Sequence, residues 1–136
     1  MSIERNKARA VELVDEILNG HDLAALEDFT SNPVVAGSAT SLVTAFPDLR
    51  AEVMWAVAEG DMVVLFLDVA GTHRGQWLFV TEPSGQAVHT SFMLAFRFDA
   101  NGHIVDQWLG SNFIEMLAQM GWGFAPNGQP AAPPPR

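Results

Sequence analysis

The chain has 136 residues, 49% hydrophobic and 17% charged, with seven Lys+Arg against sixteen Asp+Glu for a formal charge of −9. That is enough for one domain and one core, with apolar side chains to spare for a cavity, and its acidity excludes nucleic acid and an anionic membrane surface, which both need clustered positive charge. With no cysteine there is no disulfide, thiolate nucleophile or zinc–sulfur site, and with no tyrosine there is no phenol to serve as an oxyanion donor.

Ile3, Ala10, Val11, Val14, Ile17 and Leu18 recur at three- and four-residue spacing, with Glu4, Arg5, Glu12, Asp15 and Glu16 between them. This predicts an amphipathic helix capped by Ser2 and stopped by Asn19-Gly20, two residues that tolerate the left-handed conformation. The start of the chain has no apolar leader stretch and no apolar run is long enough to span a bilayer, so a cytoplasmic protein is expected. Asp22 is expected to cap a short second helix bearing Leu23, Leu26 and Phe29, ended by Pro33. Gly37 to Phe46 makes a weaker third helix, closed by Pro47.

Beyond Pro47 strand formers take over. Leu49 to Glu59 and Met62 to Val69 flank Gly60-Asp61 and read as a hairpin. A short strand at Trp77–Val80 and a turn at Pro83-Ser84-Gly85 precede a long strand, Ala87 to Phe98. Asn101-Gly102 turns the chain into a last strand, Ile104 to Ser111, and Phe113 to Met120 forms a closing helical turn stopped by Gly121. The domain is expected to cover residues 1–124, and the proline-rich segment 125–136 to be a mobile, polyproline-II-like tail. Helices followed by antiparallel strands predict an α+β layered fold. Strands apolar on both faces predict a curved sheet with a pocket on one side and a second copy, in a homodimer, on the other.

Ala45-Phe46-Pro47-Asp48-Leu49-Arg50, Ala58-Glu59-Gly60-Asp61 with Val63-Val64, and Gly71-Thr72-His73-Arg74-Gly75 stand in order along the chain. Phe96-Arg97-Phe98, Gly102, Ile104-Val105-Asp106-Gln107-Trp108 and Leu117-Ala118-Gln119-Met120-Gly121 continue the series. Together they resemble the SnoaL-like polyketide cyclases of the NTF2-like superfamily, from the first helix to Gly121. The resemblance implies the NTF2-like cone: N-terminal helices packed on a strongly curved antiparallel sheet that encloses a pocket, usually in a dimer. It also implies ring closure of a polyketide ester by an intramolecular aldol reaction without metal or cofactor, an aspartate on a late strand serving as acid/base. The chain departs from the family in two places. Thr30 to Ala45 is shorter than usual and nearly all small residues, where relatives build a wall bearing a tyrosine and a histidine. Leu109 stands where many relatives carry an acid directly after the tryptophan.

Asp106 is the first candidate for chemistry. Strict alternation sets it on the face of Ile104 and Trp108, where a carboxylate is poorly solvated and its neutral form favoured, as a general acid/base requires. The alternative is an outer-edge carboxylate paired with a cation. The resemblance places the acid/base aspartate at the same position. Asp68 interrupts an apolar strand, on the face of Phe66 and Ala70; it either shares acid and base roles with Asp106 or faces solvent. His89 shares a face with Ser91, Met93, Ala95 and Arg97, opposite Thr90 and Phe92. It is the nearest match to a histidine that the cyclases place on this strand, and otherwise a rim residue.

His73 is expected to bond backbone within its turn. The four histidines never fall at a metal-ligand spacing, so no metal is expected. Trp55, Phe66, Phe92 and Trp108, with Thr90, are the expected ligand contacts for an apolar small molecule, although aromatics at strand spacing also build cores. The leading expectation is therefore cofactor-free acid/base chemistry on a small apolar carbonyl compound, with Asp106, Asp68 and His89 catalytic. The alternative is a non-catalytic pocket protein. Epoxide hydrolysis is a third reading, with Asp68, Arg97 and Asp106 available but no tyrosine to position water.

Overall fold

The computed structural model describes residues 2–133 and shows the α+β cone. Helix α1 (Ile3–Leu13) starts where the Ser2 hydroxyl accepts the Arg5 N–H at 3.1 Å, and it runs on into a π-helical turn, Val14–Asn19. Of its expected stripe, Ala10, Val14, Ile17 and Leu18 are buried, with Leu13 beside them, while Val11 is half-buried and Ile3 is exposed. The stop differs from expectation: Gly20 keeps a negative φ of −81° and His21 takes the left-handed conformation at +56°. Glycine is required at 20 for space, since a Cβ there would lie 2.5 Å from the Glu16 carbonyl oxygen. Asn19 reaches sideways instead. Its side chain donates to the Ala51 carbonyl at 2.8 Å and accepts the Ala51 N–H at 2.7 Å, fastening the helix to the first strand.

A 3-10 turn, Leu23–Asp28, follows, without a side-chain cap from Asp22. Pro33 does not end this element; it begins the next, α2 (Pro33–Ala45), four residues before the expected start at Gly37. The Asn32 side chain caps the Val34 N–H at 2.9 Å, and proline at the first helical position has no donor to lose.

Strands β1 (Arg50–Glu59), β2 (Met62–Thr72), β3 (Ala87–Phe98) and β4 (Ile104–Ser111) form one antiparallel sheet in sequential order. Gly60 and Gly102 supply the positive φ that two of its turns need. β3 alternates throughout: Val88, Thr90, Phe92, Leu94, Phe96 and Phe98 are buried, and the residues between them turn away. The ladders of β1 and β4 each shift register once, at Met54 and at Val105, and such bulges bend and twist a sheet. The loosened backbone at the β4 bulge is taken up by the segment before α2. The Thr30 hydroxyl donates to the Ile104 carbonyl at 2.6 Å and Asn32 Nδ2 to the Val105 carbonyl at 2.7 Å.

The motif segments around Asp48 and Gly71 form a structural joint. The Asp48 carboxylate accepts both the N–H and the hydroxyl of Thr72 at 2.7 Å, bonds that hold it below the usual carboxylate range. A Cβ on Gly71 would sit 3.1 Å from that of Phe46, so glycine lets Phe46 pack there. Trp77 and Val80 form a single antiparallel bridge, not a strand. Helix α3 (Phe113–Gln119) ends at Gly121, φ +92°. Two short strands, β5 (Gly123–Phe124) and β6 (Pro130–Ala131), then pair, so part of the expected mobile tail carries a hairpin. Residues 134–136 of that tail lie outside the described residues. Among the described residues no helix is long and apolar enough to cross a membrane.

Candidate functional site

Between the helices and the concave face of the sheet lies a cavity of about 430 Å³, a size that suits a small organic molecule. Phe92, Leu94 and Phe96 of β3 form its floor, and Leu13 and Leu18 reach it from the N-terminal helix. The small side chains of α2 leave the room: Gly37, Ser38, Ala39 and Ser41 face it where larger ones would fill it. Trp77 and Phe113 close one end, their rings 5.6 Å apart. Val34, Leu78 and Leu109 line the cavity and are nonetheless exposed, so they frame its mouth.

The polar groups are few and neutral. Gln107 Nε2 donates to the Ser38 hydroxyl at 3.1 Å, joining β4 to α2 across the cavity wall. Ser41 and Ser111 add hydroxyls, and no aspartate, glutamate, histidine, lysine or arginine is among the described lining residues. Such a surface desolvates an apolar molecule and offers an amide and hydroxyls to one polar group on it.

Of the expected site residues, Phe92 lines this cavity. Thr90, two residues along the same face, is buried beneath it beside a void of about 10 Å³, and its hydroxyl has no hydrogen-bond partner. The other six lie on the convex face. Asp106 is set there by the β4 bulge: Val105 is the extra residue, so Ile104 faces the helices while Asp106 and Trp108 turn outward. Strict alternation does not hold at this point of the strand. Asp106 accepts from Arg97 Nη1 at 2.9 Å, and that guanidinium also stands over the Trp108 ring at 5.4 Å.

Asp68 and His89 do meet. His89 Nε2 lies 2.9 and 3.0 Å from the two Asp68 carboxylate oxygens, while Gln119 clasps the His89 backbone at 2.8 and 2.9 Å. Asp68 sits opposite Ser91 on the ladder, six residues along β3 from Arg97 and its partner Asp106, a separation of roughly 20 Å. Arg97 therefore does not bridge the two acids. Trp55 and Phe66 stack on the same outer face, centroids 5.3 Å apart and planes 7° from parallel.

Gln107, Leu109, Ser38 and Leu78 line the cavity without having been expected there. The signals were present: Leu109 as a departure from an acid, and α2 as an unusual run of small residues. Among the described residues no group of three or more His, Asp or Glu could hold a metal ion.

A sequence profile described as SnoaL-like polyketide cyclase matches residues 8–120. A search of the curated proteins found no match. Among solved structures, AclR from Streptomyces galilaeus, provisionally described as a hydroxylase, is 28% identical, with a TM-score of 0.74 over 88% of this chain and 83% of its own. A protein of Jannaschia sp. CCS1, provisionally described as a SnoaL-like polyketide cyclase, is 22% identical, with a TM-score of 0.75 over 88% of this chain and 94% of its own. A SnoaL-like polyketide cyclase from Agrobacterium tumefaciens is 17% identical, with a TM-score of 0.70 over 89% of this chain and all of its own.

Proposed function

We propose that this chain, which belongs to the SnoaL-like polyketide cyclase family, binds a small apolar molecule in the cavity above Phe92 without ionising it there. The observation that carries the reading is a cavity of about 430 Å³ whose described lining holds no ionisable side chain. Leu109 supports it: the position where many relatives carry an acid is apolar here and lies at the cavity mouth. The Gln107–Ser38 pair is the natural anchor for a carbonyl or hydroxyl on the ligand.

The test is fluorescence titration with N-phenyl-1-naphthylamine, an uncharged apolar probe. The wild-type chain is expected to bind it at micromolar concentration. Gly37→Trp, whose Cβ would meet nothing within 4 Å, is expected to plug the mouth and weaken binding at least tenfold. A wild-type chain that leaves the probe dark, or a Gly37→Trp variant that binds it fully, overturns the reading.

The Asp68–His89 contact favours a second reading, cofactor-free acid/base chemistry of the cyclase kind carried by Asp68 and His89, with Asp106 further along the same face. Its substrate would lie on the convex face. Met54, Trp55, Val57, Met93 and Trp108 are also exposed there, which supports a homodimer through this face; such a pairing would cover the ionic pairs and weighs against a substrate reaching them.

A further inference from the structure

The Trp77–Val80 bridge has a feature that neither folding nor burial explains. Trp77 N–H donates to the Val80 carbonyl at 3.0 Å and Val80 N–H to the Trp77 carbonyl at 2.9 Å, so Leu78 and Phe79 are the two central residues of a tight hairpin. Leu78 has φ +54°, and Phe79 is not in the positive-φ region, the pattern of a type II′ turn. Glycine is the residue that this first position favours, because a Cβ in the left-handed region crowds the backbone. A leucine there is strained. The strain is not repaid by burial, since Leu78 is 55% exposed. Local propensity and the hydrophobic effect therefore both disfavour the residue present.

The hairpin is nevertheless held firmly. Trp77 is buried, edge-on to Phe46 at 5.9 Å and beside Phe113 at 5.6 Å. Phe79 packs against Phe113 at 6.0 Å and against Trp122 at 5.2 Å. Gly75, two residues before Trp77, lies so close to the end of α2 that a Cβ would come within 2.7 Å of the Thr44 carbonyl oxygen. With both neighbours fixed by aromatic contacts, Leu78 is presented over the cavity mouth, facing Val34 and Leu109 as the third member of an apolar rim.

Resting on the binding reading above, we infer that Leu78 is a ligand-recognition residue: its strained backbone is retained because its side chain covers the apolar end of a molecule seated in the cavity. A bound ligand would bury this leucine, which is otherwise exposed. Backbone strain of this kind collects at sites of function, where the surrounding packing holds it in place.

Leu78→Gly and Leu78→Asn separate stability from binding. Both residues tolerate positive φ, and asparagine keeps the turn stiffer than glycine does. Both variants are expected to melt no lower than the wild type, with Leu78→Gly about 3 °C higher. Both are expected to bind N-phenyl-1-naphthylamine about tenfold more weakly, through faster dissociation. A fall in melting temperature in both variants would give Leu78 a structural role, and unchanged affinity in either would remove it from recognition; each result overturns the inference. If the wild type itself fails to bind the probe, the cavity reading fails first, so the two failures are distinguishable.

Discussion

His73 makes the stability of the cavity's closing loop depend on pH in a direction that can be worked out. Its ring is wholly buried beside Phe46, centroids 5.7 Å apart. Nδ1 accepts the Ser84 N–H at 3.0 Å, so in the neutral ring the proton sits on Nε2, which makes no hydrogen bond of good geometry. The backbone is stapled at the same place: His73 N–H donates to the Gln86 carbonyl at 3.0 Å and Gly85 N–H to that of His73 at 2.8 Å. Protonation would charge a buried ring and turn its one acceptor into a donor facing another donor. Burial accordingly pushes the histidine below its ordinary value of 6.5, opposed in part by the backbone of Gly75. Below pH 6.5 the unfolded chain takes up a proton that the folded chain refuses. The contribution is therefore fully present above that pH and is lost as pH falls toward the depressed folded value, by as much as about 1.4 kcal/mol per unit. Asp48, lowered chiefly by the Thr72 bonds, and Asp99, lowered chiefly by the His103 N–H, lose their contributions only below about pH 4, outside this window. The comparison is urea unfolding of the wild type and His73→Asn between pH 5 and 8, followed by tryptophan fluorescence. The asparagine amide oxygen can still accept from Ser84 but does not titrate. The wild type is expected to lose more stability than the variant as the pH falls below 6.5. Parallel stability curves for the two chains would refute the reasoning.

The ionic pair at Asp106 is about half exposed on both sides, so Asp106→Asn is expected to cost less than about 1 kcal/mol in urea unfolding and to leave probe affinity within twofold. A tenfold loss of probe binding would tie Asp106 to the cavity after all. The convex face is tested by Trp55→Glu with Trp108→Glu, which should shift light-scattering mass from dimer to monomer; a monomeric wild type at about 50 μM rules out a stable pairing.

What the sequence made legible follows from where its determinants lie. β3 was readable to the residue because its apolar and polar positions alternate without interruption from Ala87 to Phe98, and alternation is a local property. β4 has the right bounds but the wrong faces from Asp106 onward. Its bulge is stabilised by Thr30 and Asn32, more than seventy residues earlier, and no window of sequence contains both partners. Pro33 failed for a different reason. Proline both follows helices and opens them, and it is the cap from the Asn32 side chain that decides between these. The cavity itself is visible in the sequence only in negative, as a shortened segment of small residues where relatives build a wall. Those residues are the wall, and their smallness is the space.

The β4 bulge has a consequence for chemistry as well as shape. Were the strand regular from Ile104, Asp106 and Trp108 would point at Phe96 and Leu94, and Gln107 and Leu109 would face solvent. One extra residue reverses that parity. The carboxylate goes to water and Arg97, where it needs no desolvation, and an uncharged amide takes its place against Ser38. An acid is thus kept out of the cavity twice over, by the bulge at Val105 and by leucine at 109. On the proposed binding reading such a cavity would hold a ligand by apolar contact and one neutral anchor, and its affinity should stay level across a pH range in which carboxylates titrate but the fold survives. A carboxylate acting from within would instead impose an acid limb on binding, which separates the two arrangements in a single pH series of probe titrations.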